Sequence, residues 1–319
     1  MPELRFHLAG LPVAIRAAAA GALDDLWPTY RAVPTDAPPA LTIDLERTPA
    51  TDRERGPEYP AFRRTALADG RLRVERFDAE GTITTGDLPI AARFTVGPSL
   101  NSLEACVRIA ASIALPRAGA IILHASSVEH AGRAHVFIGP SGAGKSTIST
   151  MLATAFPQQC RRLTDELTIL RRRSHAHAWE VYVPPFLSPL VLPVDAHAPL
   201  AALHVLAQAP VHARDPLGLA AALPALLGQT LVYIGEPRTA ELVLGLATDL
   251  LASVPADRLR FRKDPDVAAV LGITPATPPA PVGATFAPDR PVDALDAGRY
   301  PAGLGRAAGA DPADPEDTP

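Results

Sequence analysis

The sequence lacks the features that mark several large classes of protein. It has 2 cysteines, Cys106 and Cys160, which stand far apart and without the close pairing of a zinc site. So few cysteines cannot build a disulfide framework, and this usage is typical of a reducing cytoplasm. Cys106 falls on the apolar face of a predicted helix, so we expect a buried, unreactive thiol there.

Neither a strong positive charge nor a long apolar run is present. The formal net charge is -4, which gives no basic footprint for nucleic acid as the main partner. We interpret the pair Arg161-Arg162 as a solvated strand end. The most apolar stretch, around Ala105 to Leu123, is interrupted by two arginines and a proline, so it falls short of the roughly 18 apolar residues of a membrane span. The N-terminal residues alternate like a strand and do not resemble a signal peptide. We therefore expect a cytoplasmic protein that crosses no membrane, and self-association is left open.

Patterns along the chain divide it into three regions. Residues 1–98 read as mostly strand, with one helix expected around Ala17 to Leu26. Residues 99–273 mix strand and helix patterns, which predicts an α/β domain. Within it, loops with short strands are expected from Pro184 to about Gln208, and a helix is expected near Leu217 to Leu227. The first helix of this domain is expected to begin near Asn101 and to end at Pro116 and Gly119. Residues 274–319 are rich in Pro and Ala and poor in large apolar residues, so they are predicted to be a disordered tail.

A glycine-rich loop is the strongest functional signal. An apolar strand pattern ends at Ile138, and an amphipathic helix pattern follows the loop. Glycines let successive backbone amides point at phosphate oxygens, the lysine reaches the terminal phosphates, and the hydroxyl binds magnesium. This Walker A motif predicts binding of ATP with Mg²⁺. The residues expected to bind are Gly139, Pro140, Ser141, Gly142, Ala143, Gly144, Lys145, Ser146 and Thr147.

Acidic and histidine side chains near this loop decide what chemistry follows binding. Asp165-Glu166 comes about twenty residues after Lys145, near the start of a strand predicted from Leu163 to Leu170. Two apolar runs joined by Glu129 to Arg133 are read as a hairpin, with His124 on the strand antiparallel to the one that feeds the loop. His175 and His177 fall in a predicted turn, where an exposed loop is expected in preference to a metal site, and His197, His204 and His212 lack ligand spacing. Arg214 and Arg238 are further candidates for contact with phosphate or acceptor.

These residues together resemble the catalytic domain of HPr kinase/phosphorylase, and more closely the smaller HPr-kinase-related proteins of bacterial peptide-modification gene clusters. The matching segments are Leu123–Ser126, Gly139–Thr147 and Leu163–Glu166, within a resemblance that covers roughly Leu100 to Leu192. The mostly β N-terminal region also looks like the leading region of the smaller proteins. The resemblance implies an α/β phosphate-loop fold like that of the HPr kinase catalytic domain.

The resemblance also implies roles for individual residues. Asp165 would be the catalytic base, His124 would lie beside the transferred phosphoryl group, and Lys145 would steady the phosphates. Ser146 and Glu166 would hold magnesium, although the family commonly has aspartate at the second acidic position. The glycine-rich signature and the basic loop with which bifunctional members bind HPr have no counterpart here. The implied acceptor is therefore a Ser or Thr hydroxyl of another peptide or small protein.

Two further hypotheses belong to other classes. A regulatory or scaffolding module would bind nucleotide without transferring a phosphoryl group, and the absent downstream signature favours it. A conventional phosphate-loop ATPase would need an acidic residue at the end of a later apolar strand, and the sequence offers no good candidate. An ATP-dependent kinase remains the leading prediction.

Overall fold

The computed structural model describes residues 2–19, 21, 23–24, 33–48, 62–173, 178–186, 196–231 and 236–273. The predicted tail, residues 274–319, lies outside the described residues. The mixed α/β architecture expected from the sequence is confirmed, in the form of two sheets with helices packed against them. None of the helices in these ranges is long and apolar enough to cross a membrane.

Seven strands form the first sheet, in the order β1-β2-β3-β7-β6-β5-β4. Their bounds are β1 Glu3–Leu8, β2 Leu11–Ala17, β3 Leu41–Arg47, β4 Arg63–Ala66, β5 Arg71–Arg76, β6 Ala79–Thr84 and β7 Ile90–Val96. The helix predicted around Ala17 to Leu26 is wrong, because the described residues of that stretch form the end of β2 followed by bends and turns. Leu11, Val13 and Ile15 are buried on β2, and this strand alternation continues into the alanine run that suggested a helix.

Helix α1, Leu100–Arg117, lies between the two sheets. It packs against β3, β6 and β7 on one side and against β8 on the other, and it is buried around most of its circumference, as expected of a helix enclosed by protein. Its N-cap is Ser99 and not Asn101, and Pro116 is accommodated in its last turn. Gly119 follows with φ +77°, the left-handed conformation that ends many helices. Cys106 is buried as predicted, and burial raises the pKa of its thiol.

Nine strands form the second sheet, in the order β11-β9-β10-β14-β13-β12-β8, with β16 paired to β14 and β15 paired to β16. Their bounds are β8 Ala120–His124, β9 Ser126–His130, β10 Arg133–Ile138, β11 Cys160–Thr164, β12 Leu167–Arg172, β13 Trp179–Tyr182, β14 His197–Gln208, β15 Ala213–Pro216 and β16 Ala256–Phe261. The helices of this half are α2 Lys145–Ala155, α3 Leu219–Leu227, α4 Pro237–Ser253 and α5 Val267–Val270.

Strands β10, β14 and β16 run parallel at the centre of this sheet. Parallel strands bring their carboxyl ends to one edge, so the loop after β10 lies beside the ends of β14 and β16. Helix α2 then packs back against β9, β10 and β11. The glycine-rich loop is thereby fixed between a buried strand and a buried helix face.

Candidate functional site

The glycine-rich loop, residues 139–146, joins β10 to α2 with the backbone conformations that its glycines allow. Gly142 has φ +80° and Gly144 has φ +101°, values that L-residues with side chains rarely adopt. A Cβ added at Gly144 would lie 2.9 Å from Cζ of Phe261, at the end of β16. Gln208, the last residue of β14, donates a hydrogen bond from Nε2 to the Gly142 carbonyl at 2.8 Å. The ends of both parallel neighbours therefore shape the loop.

Lys145 is turned into the loop that precedes it. Its ammonium donates to the carbonyl oxygens of Gly139 at 2.8 Å and Pro140 at 3.3 Å, and the residue is only 8% exposed. Burial lowers the pKa of Lys145, while the nearby carboxylate of Asp165 acts in the opposite direction. The backbone behind it is anchored by the buried Ser126 hydroxyl, which donates to the Lys145 carbonyl at 2.6 Å.

The first turn of α2 is open to an anion. Its N-cap residue is Gly144, and no side chain of the described residues caps the helix. The first amide hydrogens of a helix have no partner within the helix, and they carry the positive end of its dipole. This helix start can therefore bind a phosphate group.

Asp165 faces this helix start from a neighbouring turn. The Ser146 hydroxyl donates to Asp165 Oδ1 at 2.7 Å, and the Arg162 guanidinium pairs with Oδ2 at 2.5 Å. The single strand expected from Leu163 to Leu170 is in fact two strands, β11 and β12, with Asp165-Glu166 as the turn between them. The break occurs because β11 pairs with β9 while β12 pairs with β8.

Glu166 adopts a left-handed backbone conformation with φ +66°. Such a conformation costs an L-residue about 1–2 kcal/mol. The turn is held by the Glu166 carbonyl, which accepts from the Ala125 amide at 3.1 Å, and the side chain is exposed beside Asp165. Its predicted role as a magnesium ligand remains a prediction.

His124 lies close to both Lys145 and Asp165, but on a different strand from the one expected. It ends β8, which pairs with β12 through His124 opposite Leu167. The strand antiparallel to β10 is β9, which begins two residues later at Ser126. Burial lowers the pKa of His124, the positive charge of Lys145 lowers it further, and Asp165 opposes both. The imidazole is therefore favoured in its neutral form near pH 7.

A chain of buried hydroxyl groups supports the Asp165-Glu166 turn from beneath. Ser127 and Thr164 are joined by a hydrogen bond of 2.7 Å, and Thr164 and Thr168 by one of 2.6 Å. Thr168 then donates to the Ala125 carbonyl at 3.2 Å. These contacts join β9, β11 and β12 directly behind the turn. The position of Asp165 therefore depends on these buried hydroxyl groups as well as on the contacts of its own side chain.

Sequence reasoning missed several residues of this site. Arg162 was interpreted as a solvated strand end, yet its side chain is only 15% exposed and pairs with Asp165. Gln208 and Phe261 were not singled out, because their contacts depend on strand pairings between distant parts of the chain. Successive side chains of a strand point to opposite faces, and this alternation could have distinguished the two arginines of β11. Arg161 is exposed, while Arg162 is partly buried.

Other candidates from the sequence lie elsewhere. Arg238 pairs with Asp87 on the surface. His204 is fully buried and bonded to Asp257, which also pairs with Arg214. No group of three or more His, Cys, Asp or Glu side chains that could hold a metal ion occurs in the described ranges. His175 and His177 lie outside them.

Comparisons with known proteins add a distant structural likeness. No protein-family model matches the chain, and no curated protein sequence matches it. Among solved structures, the Hpr(Ser) kinase/phosphatase from Coxiella burnetii covers 48% of this chain and 92% of its own, at 9% sequence identity and a TM-score of 0.28. A likeness this weak carries no argument, so the proposals below rest on the residues and their geometry.

Proposed function

We propose that this chain is an ATP-dependent phosphotransferase that transfers the γ-phosphoryl group to a Ser or Thr hydroxyl of a peptide or small protein in the cytoplasm. The observation that carries the proposal is the hydrogen bond of 2.7 Å between the hydroxyl of Ser146 and the carboxylate of Asp165. It joins the loop expected to bind phosphate to the acidic group expected to act in transfer. Without that contact, the motif would support nucleotide binding alone.

The loop has the groups that a triphosphate needs. A Cβ added at Gly142 would meet no atom within 4 Å, so the loop leaves open space there. The uncapped start of α2 offers amide hydrogens. The Lys145 ammonium is held by two loop carbonyls, from which it can move to a phosphate oxygen at little cost in solvation.

Magnesium fits the same place. Mg²⁺ is usually held by one or two protein oxygen ligands together with substrate phosphates and water. The Ser146 hydroxyl and the exposed Glu166 carboxylate are the residues that would hold it, with Asp165 bonded to the first of them. When bound, the ion would neutralise charge on the phosphate oxygens.

Asp165 is the proposed base, and its contacts are compatible with that role. A carboxylate has about four acceptor positions; the Ser146 hydroxyl occupies one on Oδ1, and the Arg162 guanidinium forms an ion pair with Oδ2. Asp165 can therefore still accept the proton of an acceptor hydroxyl. A neutral His124, which interacts electrostatically with Asp165, adds no competing charge to the site.

Transfer is tested with Mg²⁺ and γ-labelled ATP, adding precursor peptides encoded near the gene. We expect label on a peptide hydroxyl with the wild type and none with Asp165→Asn, which leaves the loop intact and should still bind ATP. If ATP binds but no peptide is labelled, and Asp165→Asn performs like the wild type in cells, the regulatory-module hypothesis replaces the kinase.

A further inference from the structure

We infer that Arg162 is a positioning residue. It holds the Asp165 carboxylate in the orientation that keeps Ser146 in place for the divalent cation bound with the nucleotide. The inference rests on the proposed function and assigns a residue that neither the loop motif nor the acidic pair includes. Arg162 is on β11, three residues before Asp165, and it acts through that carboxylate.

The two oxygens of Asp165 have different partners. Oδ1 accepts from Ser146 at 2.7 Å, and Oδ2 pairs with Arg162 at 2.5 Å. A carboxylate held at one oxygen can still rotate about its χ2 torsion, which is broad for aspartate. Held at both oxygens, it keeps one oxygen directed at the Ser146 hydroxyl.

Burial makes this pair different from an ordinary surface ion pair. The side chains are 15% and 10% exposed, and taking a charge out of water is costly unless an opposite charge offsets the lost solvation. The Arg162 Nε is buried and has no hydrogen-bond partner among the described residues. Arg162 therefore depends on Asp165 to offset the cost of burying its charge, and the Asp165 carboxylate depends on Arg162 for its orientation.

The same strand provides a matched control. Arg161, the preceding residue, pairs with Glu129, and its side chain is 52% exposed. Glutamine at either position removes one guanidinium from β11, but only Arg162→Gln removes a contact with Asp165. A loss seen in Arg162→Gln and absent from Arg161→Gln therefore cannot come from the general charge of the strand.

The experiment measures ATP affinity by titration calorimetry, in EDTA and again with excess Mg²⁺. The ratio of the two affinities reports the contribution of the cation. We expect Arg162→Gln to keep the affinity in EDTA and to lose roughly tenfold or more of the magnesium-dependent gain. Arg161→Gln should match the wild type in both conditions. Because residues that act as a unit are non-additive, Arg162→Gln combined with Asp165→Asn should lose no more than Asp165→Asn alone.

Arg162→Lys is a second variant, which tests the inference even if Arg162→Gln does not fold. An ammonium keeps the charge but not the planar fork that suits a carboxylate, so its magnesium-dependent gain should fall between those of Arg162→Gln and the wild type. It decides the question if the glutamine variant does not fold.

The inference is overturned if the arginine variant that folds retains the full magnesium-dependent gain, if Arg161→Gln loses as much, or if the losses in the double variant add. Those outcomes leave ATP binding itself in place. A wild-type protein that binds no ATP in either condition would instead overturn the proposed function, and the inference with it.

Discussion

Gly142 and Gly144 lie two positions apart in the glycine-rich loop, yet a side chain would meet very different surroundings at each. Both have positive φ, so alanine at either position costs about 1–2 kcal/mol of backbone strain. At Gly142 the added methyl group meets no atom within 4 Å, whereas at Gly144 it would lie 2.9 Å from the buried ring of Phe261.

We expect Gly144→Ala to lower the free energy of unfolding by at least about 1 kcal/mol more than Gly142→Ala, because the ring must move as well. Denaturant unfolding of both variants measures this difference, with Gly142→Ala as the control for backbone strain. Equal losses would show that the packing of β16 against the loop is unimportant for stability.

The strain at Glu166 gives a second residue-scale prediction. Glycine adopts φ +66° without strain, so Glu166→Gly should leave the free energy of unfolding unchanged or raise it by up to about 1 kcal/mol. The same variant should weaken binding of magnesium-ATP, because the proposed cation ligand is lost. Strained residues of this kind are frequent at functional sites.

Glu166→Gln separates the two effects. It keeps the strained backbone and removes only the negative charge, so it should weaken magnesium-dependent binding with no gain in stability. Unfolding measurements and calorimetry with Mg²⁺ test both variants. A Glu166→Gly protein that is clearly destabilised would mean that the side chain has a structural role.

At the scale of elements, a line of polar groups crosses the three parallel strands behind the loop; His204 and Asp257 are buried and His135 is partly buried. His135 on β10 contacts His204 on β14 at 3.0 Å, and His204 contacts Asp257 on β16 at 2.8 Å. The Asp257 carboxylate accepts from His204 Nδ1, and a second hydrogen bond joins His204 Nε2 to His135 Nδ1. Burial, followed by the neighbouring His204, lowers the pKa of His135 to about 3.

This low pKa predicts acid sensitivity. Below the unfolded-state pKa of about 6.5 the unfolded chain binds a proton at this histidine and the folded chain does not, so stability falls as the pH falls, by up to about 1.4 kcal/mol per unit. His124, whose pKa is also lowered, contributes in the same direction. We expect His135→Gln to reduce the loss of stability between pH 7 and pH 5, measured by denaturant unfolding at each pH. An unchanged pH dependence would contradict the assignment of His135 as neutral.

Elements set by local signals could be predicted from the sequence. The turn of the β9–β10 hairpin falls at Ala131-Gly132, with φ of +49° and +73°, the two positive values that the tightest hairpins need. Helix α3 lies where its apolar pattern placed it, within Leu217 to Leu227. Strand β10, the loop and α2 follow one another as the motif required.

Elements set by distant pairing could not be predicted in the same way. The residues from Pro184 to Gln208 read as loops with short strands, but those from His197 onward form the 12-residue strand β14 at the sheet centre. Its alanines and leucines favour a strand only because β10, β13 and β16 pair with it. For the same reason His124 was assigned to the wrong strand, and the partner of Arg162 was not foreseen.

At the scale of the whole molecule, Arg117 at the end of α1 joins the loop between β6 and β7 to the start of α4. Its guanidinium, 3% exposed, donates to the carbonyls of Thr85 and Gly86 near the first sheet, and it pairs with Glu236 at the start of α4 at 3.1 Å. The Glu236 side chain is 12% exposed. Removing one partner of such a pair leaves a buried charge unpaired.

We expect Arg117→Met to lower the free energy of unfolding by about 3–5 kcal/mol. Arg238→Met is the matched control, because Arg238 also connects α4 to the first half of the chain, through the exposed Asp87. An exposed pair contributes only about 0–1 kcal/mol. Denaturant unfolding measures the loss in free energy of unfolding for both variants. Similar losses would contradict this account.

Binding of ATP is the measurement that tests the central claim most directly. Calorimetric titration with ATP and Mg²⁺ should give one site per chain in the wild type, and at least roughly tenfold weaker binding in Lys145→Met, which removes the charge expected to reach the terminal phosphates. Absence of ATP binding by the wild type, or equal affinity in Lys145→Met, would contradict the assignment of the glycine-rich loop as the nucleotide site.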